Sequence, residues 1–84
     1  PWVGADAYAN GWAAFGTRLE AMAQRLAPLG LKLAYHNHDF EYANGDGLTE
    51  MYAAAPSVWA EVDAAWVKIG GHDPLAVIRG LGSR

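Results

Sequence analysis

From Leu31 to Glu41 the chain reads Leu-Lys-Leu-Ala-Tyr-His-Asn-His-Asp-Phe-Glu, an apolar run that stops in two imidazoles and two carboxylates. With the period of a β-strand, Leu31, Leu33 and Tyr35 share one face, and Lys32, Ala34, His36 and His38 share the other. Two histidines two positions apart on one strand face can converge on one ligand. Asp39 and Glu41 follow where this strand must end. In α/β proteins the carboxyl ends of parallel strands are where sites are built.

The rest of the chain supplies what such a strand needs around it. Residues 1–9 lack periodicity and read as an entering loop. Asn10 is positioned to cap a helix from about Gly11 to Ala27, with Trp12, Phe15, Leu19, Met22 and Leu26 as its apolar stripe. Pro28 and Gly30 are expected to end it. After the first strand, Ala43-Asn44-Gly45-Asp46-Gly47 is a turn cluster. A short helix beginning around Thr49 and covering Glu50 to Ala55 stops before Pro56. Ser57 to Asp63 reads as a second strand, with Val58, Ala60 and Val62 on one face and Trp59, Glu61 and Asp63 on the other. Residues 64–69 are ambiguous between helix and strand. Gly70-Gly71-His72 breaks them, and Asp73-Pro74 starts a final helix through Leu75, Val77, Ile78 and Leu81, with His72 as a surface loop residue.

Two strands separated by a helix-containing connection form a parallel β-α-β unit with a right-handed crossover, so the fold class is α/β. The rows Leu31/Leu33/Tyr35 and Val58/Ala60/Val62 suit the helix side. The other rows then bring His36, His38 and Asp63 to one side and one end of the sheet. Lys32 and Glu61, on those same rows, are expected to approach each other, because an unpaired inward charge is costly.

Composition narrows the chemistry. The 84 residues carry six Lys and Arg against nine Asp and Glu, a net charge of −3, and the basic residues are scattered. Nucleic acid is therefore not expected as a partner. No cysteine is present, so a metal would be held by His, Asp or Glu. No run approaches the ~20 apolar residues of a membrane helix, and a soluble cytoplasmic chain is the expectation. A chain of this length makes one domain at most, burying little more than ~60% of its unfolded surface. It reads as a segment of a longer protein, residues 1–84 forming part of one domain.

The signatures Tyr35-His36-Asn37-His38-Asp39-Phe40-Glu41-Tyr42, Glu61-Val62-Asp63 followed by Trp66, and Gly70-Gly71-His72-Asp73-Pro74 occur in order, with Gly82-Ser83-Arg84 closing the section. Together they resemble the sugar phosphate isomerase/epimerase branch of the xylose-isomerase-like TIM-barrel superfamily, over nearly the whole chain. The resemblance implies a parallel segment of a (β/α)8 barrel of about 250 residues. It also implies a divalent metal at the carboxyl-terminal face, manganese foremost, with magnesium, cobalt and zinc as other candidates. The activity implied is isomerase, epimerase or related lyase chemistry on a small-molecule sugar or polyol, by proton transfer next to a carbonyl. Asp63 matches the family's aspartate ligand. The first ligand falls within residues 36–41, with Glu41 and His36 as candidates. His38 is the expected general acid/base, and Trp66 and Asn37 are candidate substrate contacts. With later ligands lying elsewhere, the segment alone is expected to be inactive. Two rival readings are an amidohydrolase-like barrel, using His36 and His38 as a first-strand metal pair, and a non-catalytic α/β fragment or interaction module. A His-Asn-His nuclease reading does not suit the acidic balance and parallel-strand context. Oligomeric state has no signature in the sequence.

Overall fold

The computed structural model describes residues 4–84. Among them are four α-helices and a two-stranded parallel sheet, in the order α1 (Trp12–Leu26), β1 (Ala34–His36), α2 (Gly47–Ala54), β2 (Trp59–Glu61), α3 (Ala64–Ile69) and α4 (Pro74–Leu81). The strand register is Ala34 to Trp59, Tyr35 to Ala60 and His36 to Glu61. This is a small mixed α/β unit, and the parallel pairing is the one expected of a β-α-β connection. No helix of the described residues is long and apolar enough to cross a membrane.

Where the elements begin and end follows from their polar side chains. Residues 1–3 of the expected entering loop lie outside the described residues, and Ala5–Tyr8 form a 3-10 turn instead of a loop. That turn is held by the Tyr8 ring, stacked on Trp12 at 4.4 Å between centroids. Helix α1 takes no cap from Asn10. Its N-cap is Gly11 at φ 98°, a conformation glycine adopts without steric cost, and no side chain caps it. The α-helical run stops at Leu26, before Pro28, as expected. Pro28 sits inside a 3-10 turn (Ala27–Leu29) that follows, and Gly30 in the left-handed conformation, φ 73°, ends it.

Both strands stop early at their carboxyl ends for an identifiable reason. Beyond His36 the N–H of His38 turns to the carboxylate of Glu41, and beyond Glu61 the N–H of Asp63 turns to the side chain of Asn37. Donors spent on side chains cannot extend a ladder. Asp46 caps α2 by accepting from the Thr49 N–H at 3.0 Å and the Thr49 hydroxyl at 2.8 Å, which moves the start of that helix to Gly47. The ambiguous stretch 64–69 is helical because Asp63 caps it, Oδ1 accepting from the Trp66 N–H at 3.2 Å. Asp73 caps α4 through the Leu75 N–H at 3.0 Å, as expected.

The core lies on one face of the sheet. Phe15, Leu19 and Ala23 of α1 meet Tyr35, and Leu48, Met51 and Tyr52 of α2 close over Ala55, Val58 and Val67. The Tyr35 ring stands edge-on to Phe15 at 5.8 Å and to Tyr52 at 6.4 Å, a favoured aromatic geometry. Gly16 faces the Met51 carbonyl so closely that no Cβ fits between the two helices. The seam therefore runs through Phe15, Gly16, Leu19 and Ala23, and Met22 of the expected stripe is left 45% exposed. On the opposite sheet face Ala34, His36, Trp59 and Glu61 are exposed.

At the end of the described chain, Arg84 closes the outer edge of β2. Its carbonyl accepts from the Ala60 N–H at 3.1 Å, and its guanidinium donates to the carbonyls of Tyr52, Ala55 and Val58. The expected approach of Lys32 to Glu61 does not occur. Lys32 Nζ lies 4.2 Å from the centroid of the Trp59 ring, and Glu61 Oε1 lies 3.6 Å from His36 Nδ1. An adjacent indole face offers a flexible ammonium a partner that needs no desolvated carboxylate.

Candidate functional site

His36 is the last residue of β1 and points away from the helices, with its side chain 45% exposed. Its Nε2 lies 3.1 Å from Asp63 Oδ2, two residues beyond β2 on the same sheet face. The parity expected for the two strands therefore holds: His36 and Asp63 arrive on one side and at one end. Two contacts hold the Asp63 carboxyl below its ordinary value, the Trp66 N–H first and the His36 ring second. An ionised carboxylate only accepts, so the hydrogen between the two groups belongs to His36 Nε2. Glu61, level with His36 in the register, approaches the other ring nitrogen at 3.6 Å. The imidazole is thus flanked by carboxylates on both nitrogens.

The His38 ring continues the site as a stack. It lies 5.3 Å from the His36 ring with planes 21° apart, 5.1 Å from Phe40 at 13°, and 5.9 Å from Trp66 at 43°. Phe40 in turn stacks on Tyr8 at 5.5 Å and Trp12 at 6.0 Å. The rings of His36 and His38 thus end an aromatic row that begins on α1. His36, His38, Glu61, Asp63 and Trp66 line an open cleft of about 850 Å³.

Two of the sequence-predicted site residues serve elsewhere. Glu41 is 1% exposed. Its carboxylate accepts from the His38 N–H with both oxygens, at 3.0 and 2.9 Å, and Oε2 also accepts from the Tyr35 hydroxyl at 2.8 Å. Asn37, also 1% exposed, directs its amide to the backbone of Asp63 and His38 and not to the cleft. Trp66 reaches the cleft beside His38, as its proposed substrate role requires. His72 lies in the bend before α4, as expected, half-buried with its ring 4.1 Å from that of Tyr42.

Sequence reading missed Glu61 as a partner of His36 and the ring row of Tyr8, Trp12 and Phe40. The signal for Glu61 was available, since it shares strand parity with Asp63. The ring row had none, because it joins residues some thirty positions apart through helix packing.

His36 and Asp63 are spaced as two donors to one ion would be. Ligands bound at about 2.1 Å and at right angles stand about 3 Å apart, close to the 3.1 Å between Nε2 and Oδ2. Binding there would displace the hydrogen on Nε2. Among the described residues no group of three or more potential ligands gathers. No protein-family model matches the chain, and no curated protein matches it in sequence.

Proposed function

We propose that this chain is part of a divalent-metal-dependent isomerase, epimerase or related lyase of the xylose-isomerase-like barrel type. Its substrate would be a small sugar or polyol derivative, and its chemistry proton transfer next to a carbonyl. The observation that carries the reading is the His36–Asp63 pair, 3.1 Å apart at the carboxyl ends of two parallel strands. It lies on the sheet face that the helices leave uncovered. A parallel sheet is normally covered on both faces. One face under helices and one carrying polar chemistry is the arrangement of a barrel sector whose inner face holds the site.

In this reading His36 and Asp63 hold the ion, manganese or a similar divalent cation, with further ligands from other parts of the protein. When bound, the ion polarises the substrate carbonyl and stabilises negative charge on its oxygen. His38, stacked beside His36, moves the proton on the adjacent carbon through its imidazole. Trp66, which lines the cleft beside His38, offers a ring face to the C–H face of a sugar, and Phe40 backs the His38 ring from within the aromatic row. Glu41 holds the backbone from which His38 projects and takes no part as a ligand.

Titration of the isotope-labelled chain with Mn2+ tests this. The His36 ring and the residues around Asp63 are expected to broaden first, and Asp63→Asn, which retains a helix cap, removes that selectivity. Broadening without preference for this pair overturns the metal reading. It leaves a second reading, a non-catalytic α/β module, which the double use of Asp63 as helix cap and His36 partner favours.

A further inference from the structure

The His36–Asp63 contact reaches past the last rung of the strand ladder, His36 to Glu61, because Asp63 lies two residues beyond the end of β2. What holds them in register is Asn37. Its Oδ1 accepts from the Asp63 N–H at 2.7 Å, and its Nδ2 donates to the Asp63 carbonyl at 3.2 Å and to the His38 carbonyl at 3.3 Å. In a strand the N–H and C=O of one residue point the same way. A side-chain amide presents the complementary acceptor and donor side by side, so it meets that edge as another strand's backbone would. Aspartate lacks the donor, serine lacks the reach to satisfy both groups, and leucine satisfies neither.

We propose that Asn37 is the positioning residue of this site: its amide supplies one more rung after His36–Glu61 and thereby sets where Asp63 presents its carboxylate. The Asp63 carboxylate serves two partners in different directions, Trp66 N–H through Oδ1 and His36 through Oδ2. A small shift of the Asp63 backbone breaks one of them. Burial of the amide makes the clamp costly to leave half-made. The inference rests on the reading that the His36–Asp63 pair is the working site, and it assigns Asn37 to the backbone instead of the substrate.

Nuclear magnetic resonance of the metal-free chain tests it. In the wild type the Asp63 amide is protected from hydrogen exchange and the His36 ring nitrogens give the pattern of hydrogen fixed on Nε2. In Asn37→Ala the Asp63 amide exchanges about tenfold faster or more, and the His36 ring shifts to an average of both tautomers while the core signals persist. Lower thermal stability with an unchanged His36 pattern overturns the proposal, because a residue that only stabilises the fold leaves the tautomer alone. If Asn37→Ala does not fold, the wild-type measurement decides: an Asp63 amide exchanging as in an unstructured peptide overturns the clamp, and a protected one upholds it. Mn2+ plays no part in this readout. The clamp therefore stands or falls separately from the metal reading.

Discussion

Glu41 accepts the His38 N–H with both carboxylate oxygens, at 3.0 and 2.9 Å, from a side chain that is 1% exposed. The Tyr35 hydroxyl donates to the same carboxylate at 2.8 Å. A residue whose position near a strand end suggested a ligand is instead what ends the strand. Removing it leaves a buried amide and a buried hydroxyl without their acceptor. Glu41→Ala is expected to cost about 2–4 kcal/mol, and Glu41→Gln, which keeps one acceptor oxygen, clearly less. Urea unfolding of both variants measures this, and equal losses for the two would show that lost volume outweighs the lost acceptor.

Gly16 is a helix-interior position at which alanine ordinarily gains up to about 1 kcal/mol through propensity. Here the sign reverses. A Cβ would run into the Met51 carbonyl and against the Ala54 side chain, forcing α1 and α2 apart. Gly16→Ala is expected to destabilise by about 1–3 kcal/mol. The thermal midpoint of that variant against Gly80→Ala, where a Cβ meets nothing, separates crowding from propensity.

Three tyrosines make the fold sensitive to alkali. Burial first, then the carboxylates of Asp46 and Glu41, push the Tyr42 hydroxyl up to about 12 from 10.0. Burial also raises Tyr35 and Tyr52, with Glu41 adding to the shift at Tyr35, while Arg84 partly offsets it at Tyr52. A raised phenol keeps its proton in the folded state after the unfolded chain has lost it. Stability from these groups is therefore complete below about pH 10 and falls as pH rises through the folded values. Unfolding curves recorded upward from pH 9 should show this decline. Tyr42→Phe should flatten its first part, between 10.0 and about 12, and an unaltered slope would exclude Tyr42 as a contributor.

Particular residues mark how far sequence reading reached. The alternation of Leu33 and Tyr35 with Ala34 and His36, and of Val58 and Ala60 with Trp59 and Glu61, assigned the two sheet faces correctly from the chain alone. The Asp73-Pro74 cap was equally readable, because a cap and its helix lie within a few residues. Residues 64–69 are ambiguous from their own pattern, and the cap role open to Asp63 in the sequence is the contact that makes them helical. Lys32 and Glu61 were paired by charge, although an indole ring and an imidazole lay nearer.

The sequence by itself determined the order of helices and strands apart from α3, the face each strand residue takes, and the arrival of His36 and Asp63 at one end. Those properties follow from period and chirality, which act locally. Only the tertiary structure decided which partner polar groups take across the two strands: Asn37 for Asp63, and Glu61 for His36. Hydrogen bonds need atoms within about 3 Å, and that proximity is set by strand register and helix packing between residues far apart in the chain.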